Sequence, residues 1–161
     1  MLTKLFDTMA NMGIWIRFHD KRTEPPTEDG RIWGPTVDGF AISLAPVDED
    51  RVSVLIKNNT DHEVRAAIPG WLHYLHTNLS GPNNSTVGLK PYGKQILESA
   101  QTSRPVERVF GPGKHLTTEI PIGALYDLSS KGPYAVTVEC PVPGHPASTV
   151  TSNRVTLDSN R

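Results

Sequence analysis

Along most of this chain, apolar side chains return at every second position. Phe40, Ile42 and Leu44 share one face of an extended segment, and Val52, Val54 and Ile56 share a face of the next. Leu116, Thr118, Ile120 and Ile122 alternate again, as do Tyr134, Val136, Val138 and Cys140. Val155 and Leu157 place a last strand over 149–157. Weaker strands are expected around Gln95-Ile96-Leu97 and over 106–110, and the run 71–78 (WLHYLHTN) reads as strand. Turn chemistry separates these segments at Pro46 to Asp50, at Asn58-Asn59-Thr60-Asp61, at Gly81-Pro82-Asn83-Asn84 and at Gly111-Pro112-Gly113. Residues 123–130 form a short turn or a single helical turn before the strand that holds Tyr134. Short strands at this spacing, with no helix between them, predict an antiparallel sandwich or barrel rather than a parallel sheet.

The first thirty residues follow a different rule. Leu2, Leu5, Phe6, Met9 and Met12 fall three and four apart, opposite Lys4, Asp7, Thr8 and Asn11, which predicts a short amphipathic helix over 2–12. A helix of that length is marginal alone in water. Its stripe therefore packs on the sandwich or docks on a partner, and the spacing is equally compatible with both. Gly13 ends the pattern. Ile14, Ile16 and Phe18 then alternate with Trp15, Arg17 and His19 as a strand, and the charged, Pro-containing segment 20–30 (DKRTEPPTEDG) marks a boundary. The expected organisation is an N-terminal extension over 1–30 and one domain over 31–161.

Composition narrows the function classes. A length of 161 residues suits one domain, and 13 glycines with 14 prolines suit a fold rich in turns. Sixteen basic side chains against 17 acidic ones leave a formal charge of −1. The basic pair Lys21-Arg22 is diluted at once by Glu24, Glu28 and Asp29, so nucleic acid is not expected as a partner. Cys140 is the single cysteine, which excludes an intramolecular disulfide and a Cys-rich zinc site. No stretch approaches the roughly 20 apolar residues of a membrane-spanning helix. Residues 1–18 lack the continuous apolar centre of a signal peptide. The expected compartment is therefore the cytoplasm, or outside the cell with the export signal beyond this sequence.

The segment Leu125-Tyr126-Asp127-Leu128-Ser129-Ser130-Lys131-Gly132-Pro133-Tyr134-Ala135-Val136 resembles the approach to strand F of immunoglobulin-like domains. There a tight turn precedes Gly-x-Tyr. More broadly, 33–157 is similar to bacterial immunoglobulin-like domains. It has a strand like Gly39-Phe40-Ala41-Ile42-Ser43-Leu44, a strand ending in an Asn-rich turn like Val54 to Asn59, and a last strand introduced by Ser152-Asn153. The resemblance implies an all-β, antiparallel immunoglobulin-like β-sandwich carrying a short N-terminal amphipathic helix. It also implies a structural tyrosine corner at Tyr134. The family's bridging cysteine would stand at Val136, so its disulfide is absent. Such sandwiches host many unrelated functions.

Candidate chemistry is sparse. Cys140-Pro141-Val142-Pro143-Gly144-His145 resembles the ligand loop of azurin-like cupredoxins, which implies copper held by the Cys140 thiolate and the His145 imidazole. The loop departs from that family because Pro146-Ala147-Ser148-Thr149 follows His145, with no methionine. The plainer reading makes Cys140 a small core residue in phase with Val136 and Val138. His73 and His76 would share a face of a helix and could chelate a metal, but on a strand they point to opposite sides. No nucleophile elbow, phosphate loop or contrasted pair of carboxylates is recognisable. The glycosylation-type sequons at Asn58, Asn78, Asn83 and Asn84 matter only in a glycosylating host.

These features lead to the expectation of a non-catalytic binding or structural module working through protein–protein contacts, as a subunit of a larger assembly, with no catalytic residues and no cofactor. The partner is another protein, or a second copy met through the N-terminal stripe. The alternatives are a cupredoxin-like electron carrier, and an inhibitor or carbohydrate-binding sandwich using the loops 81–86 or 111–115.

Overall fold

A computed structural model describes residues 30–99 and 104–159. The expected helix with Leu2, Leu5, Phe6, Met9 and Met12, and the strand after it, lie outside the described residues. Nine strands are described: β1 (Phe40–Pro46), β2 (Val52–Asn58), β3 (Val64–Ile68), β4 (His76–Ser80), β5 (Val106–Phe110), β6 (His115–Ile120), β7 (Gly132–Val142), β8 (His145–Thr151) and β9 (Val155–Ser159). Three short helices interrupt them: α1 (Trp71–Tyr74), α2 (Pro91–Ser99) and α3 (Ile122–Leu125). Every pairing is antiparallel. One sheet has the order β1-β2-β6, a second sets β4 on one edge of β7 with β8 and β9 on the other, and β3 pairs with β5 as a separate ribbon.

The described chain is thus predominantly β, with antiparallel sheets compatible with a sandwich. Phe40, Val54, Ile120 and Val136, drawn from both larger sheets, lie in one apolar core. β7 follows the period-two rule most clearly: Tyr134, Val136, Val138, Cys140 and Val142 are buried, while Ala135, Thr137, Glu139 and Pro141 between them are less so.

β1 and β2 depart from a one-faced pattern. Every residue of Phe40–Leu44 and Val52–Ile56 is buried. Small polar residues on the outer face allow this. The Arg31 guanidinium lies across Ser43 and Ser53, donating to both hydroxyls at 3.1 and 3.0 Å and to both carbonyls at 3.2 Å. Lys57 Nζ sits 5.8 Å from the centroid of the Trp33 ring. The segment before β1 therefore covers the first sheet from outside.

Where β8 passes into β9, the chain carries one residue more than β7 opposite. Thr151 pairs with Glu139, yet Val155 pairs with Val136. This is the geometry of a β-bulge. Ser152 bridges the break: its N–H donates to the Val138 carbonyl at 2.8 Å, and its Oγ accepts the Val138 N–H at 2.9 Å. The bulge throws Asn153 toward β1. Its Oδ1 accepts the Leu44 N–H at 2.7 Å and its Nδ2 donates to the Leu44 carbonyl at 3.1 Å. Beside it, the Gly34 N–H donates to the Ile42 carbonyl at 2.9 Å. A Cβ at Gly34 would stand 2.1 Å from the Thr151 carbonyl oxygen, so only glycine fits there.

Four expectations need correction. Residues 71–78 are not one strand, because Trp71–Tyr74 form a helical turn and β4 begins at His76. Gln95-Ile96-Leu97 lie within α2. Tyr92 and Ile96 stand one helical turn apart on its inner side, Pro91 suits a first helical position, and Gly93 admits close contact with the Leu125 backbone. A helix therefore does stand between two strands. β3 was not anticipated, since its inward side is carried by residues as small as Ala66. The last strand, expected as one run, is broken at the bulge.

Replacing Asn153 by Ala strands one donor and one acceptor of Leu44 and is expected to cost roughly 1–3 kcal/mol in urea unfolding. Asn153→Asp keeps an acceptor for the Leu44 N–H but offers nothing to its carbonyl, and should not restore stability. Wild-type stability in both variants would show that the amide does not close this edge.

Candidate functional site

The outward side chains of β4 and β7 form a polar grid set by register. Ser80 stands opposite Ala135, Asn78 opposite Thr137, and His76 opposite Glu139. Arg154 leaves the bulge beside this grid, and Tyr126 with Val87 closes the far side. Together they border an open concavity of about 400 Å³. A smaller hollow of about 230 Å³ adjoins it, lined by His76, Glu139, Leu72 and Leu97 and sharing Thr77, Asn78 and Tyr126. Burial pushes the Tyr126 phenol above its usual range, opposed by a hydrogen bond from the Thr77 side chain. Arg154 and Asn78 are exposed. The lining offers amide, hydroxyl and guanidinium donors above a β-sheet floor, which suits holding a polar molecule.

The residues singled out from the sequence lie elsewhere or apart. Cys140 is wholly buried and pairs across strands with Val150. Burial pushes its thiol up to about 12, with a smaller opposing effect from the Tyr74 hydroxyl beside it. Tyr74 is itself raised, first by burial and then by Cys140, and its hydroxyl donates to the Pro141 carbonyl at 2.5 Å. His145 is exposed and pairs with Val142. β7 runs past Cys140 to Val142 and turns at Pro143-Gly144 straight into β8, so 140–145 is a hairpin end and not a ligand loop. Its thiol faces the core while its imidazole faces solvent, and the pair does not fit a copper centre. No group of three His, Cys, Asp or Glu side chains suited to a metal occurs among the described residues.

His73 and His76 also fail to converge. His73 stands on α1, where its Nε2 donates to the Leu97 carbonyl at 2.5 Å and ties α1 to α2, leaving Nδ1 buried without a partner. His76 is exposed on β4. Of the sequons, Asn58 is fully buried. Its Nδ2 donates to the carbonyls of His62 and Phe110, and its Oδ1 accepts from both the Thr60 N–H and the Thr60 hydroxyl. Asn78 is exposed on β4, and Asn83 and Asn84 are exposed with positive φ on the 3-10 turn Pro82–Asn84. The Tyr134 hydroxyl donates to the Ser130 carbonyl at 2.7 Å.

No protein-family model and no curated protein matches this chain. The concavity was not foreseen in the sequence. Its parts come from residues 77–80, 87, 126, 135, 137 and 154, and no local motif joins them. The usable signal was the polar half of the β7 alternation, Thr137 and Glu139.

A thiol reagent at pH 8 is expected to leave native Cys140 unlabelled and to label it fully in urea. Its ordinary value is 9.0 and its folded value about 12. Below pH 9 both states keep the proton and stability is unaffected. Between pH 9 and about 12 the unfolded chain loses the proton first, so stability falls by up to about 1.4 kcal/mol per pH unit. Cys140→Val should flatten the decline that begins near pH 9, leaving the Tyr74 contribution above pH 10. A flat wild-type profile would place the thiol in contact with water.

Proposed function

We propose that this chain is a non-catalytic binding module with an immunoglobulin-like β-sandwich fold, acting through contact with another protein. The fold reading is supported by the pairing of β1-β2-β6 and of β4-β7-β8/β9 over one core, by the Tyr134-to-Ser130 bond four residues upstream, and by the Ser-Asn step that opens the last strand.

The observation that carries the role is the β3–β5 ribbon. The Phe110 ring anchors it to the core edge-on against Phe40, with centroids 5.5 Å apart. From Val106 to Val109 every residue of β5 is exposed, with Val106 at 53% and Val109 at 43%. These two valines lie on opposite faces of one strand, so neither face is fully covered. β5 pairs with β3 alone among the described strands, so its other edge carries no described strand and suits an extended segment of a partner. Arg65 reaches both Glu63 and Glu107, at 2.9 and 3.2 Å. These exposed pairs add little stability, but they hold the ribbon's polar rim in place.

Val106→Asp with Val109→Asp is expected to leave the unfolding midpoint nearly unchanged, as for other surface substitutions, while abolishing partner capture by cross-linked pull-down from the native source. Capture that survives both substitutions would remove the ribbon from the interface.

A further inference from the structure

We infer that the concavity over β4 and β7 is a second binding site, independent of the β3–β5 ribbon, for a small acidic sugar. Arg154 carries the argument. It makes no ion pair or hydrogen bond with any described residue, although it stands at the rim of an open concavity lined by polar and apolar side chains. Arg31, Arg51 and Arg65 are engaged, with Ser43 and Ser53, with Asp48 and Glu119, and with Glu63 and Glu107; Arg108, exposed on β5, also lacks a partner among the described residues but lines no concavity. A guanidinium with its fork of donors unspent matches a carboxylate, which it takes in two parallel hydrogen bonds.

The neighbours of Arg154 define the rest of the ligand. Asn78 and Thr137 face each other across β4 and β7, with Ser80 in the next row. Amides and hydroxyls both donate and accept, as vicinal sugar hydroxyls require. Val87 and Tyr126 supply an apolar wall for the C–H face of a ring. A volume of about 400 Å³ accommodates one or two sugar rings. Glu139 follows Thr137 by two residues on the same face, roughly 6.8 Å further along the strand. That carboxylate opposes a second negative charge and limits the ligand to a monoanion.

The test is titration of the full chain with D-glucuronate, followed by backbone amide NMR, with glucose and acetate as parallel probes. Saturable shifts at Asn78, Thr137 and Arg154 are expected with glucuronate, with weaker responses to glucose and acetate. Arg154→Gln should lower glucuronate affinity at least about tenfold while leaving the unfolding midpoint in place, and Arg154→Lys should recover part of it. Asn78→Ala should weaken binding without touching Arg154. Absence of saturation at millimolar glucuronate, an equal response to glucose, an equal response to acetate, or an unchanged affinity in Arg154→Gln would each overturn the proposal. Binding through the ribbon is read by the Val106/Val109 variant, so the two sites fail separately.

Discussion

Two antiparallel sheets that share a core still expose the backbone at their outer edges, and an open edge is both a desolvation problem and a route to mispairing. In this chain the edge of β1 is closed by a side chain acting as a strand. The Asn153 amide presents one acceptor and one donor at the spacing of a peptide group and takes both polar groups of Leu44. It reaches them because the bulge at Ser152 turns it out of the β7 ladder, and Ser152 fills the bonds the bulge would otherwise break. The sheets are thus fixed to each other by polar geometry as well as by apolar contact, which sets their relative position more sharply than packing alone.

The same device recurs at the other end of the core. Asn58 is fully buried and spends its whole amide on the backbone of His62 and Phe110 and on Thr60. It joins the end of β2 to the turn before β3 and to the end of β5, while the Gly113 N–H and the Lys114 carbonyl bond its own backbone. A turn that reads in sequence as solvated Asn-rich chemistry is a packed junction. The position fixes the ribbon at one end and leaves the Val106 end comparatively uncovered.

Much of the architecture was legible because burial in a sheet repeats every two residues. Phe40, Val54, Ile120 and Val136 could be assigned to a shared interior from spacing alone, and the structure places them there. What escaped was set by contacts remote in sequence. Ile96 and Leu97 look like strand residues until Gly93 and Leu125 meet, and His73 looks like half of a chelate until the Leu97 carbonyl accepts a hydrogen bond from its Nε2. The concavity was illegible for the same reason. Asn78, Thr137 and Arg154 become neighbours only through the register of β4, β7 and the bulge.

β7 is flanked on both edges over its central residues 135–139, on one edge at its two ends, and turns alternate side chains into the core. The amides of that central stretch can meet solvent protons only when the whole domain opens, so they belong to the slowest-exchanging class. Among the described residues β5 has one strand neighbour and little cover, and its amides can exchange through small local openings. The molecule therefore combines a stiff floor beneath the concavity with a pliant margin at the ribbon, and a bound strand would remove most of that local softness without disturbing the centre.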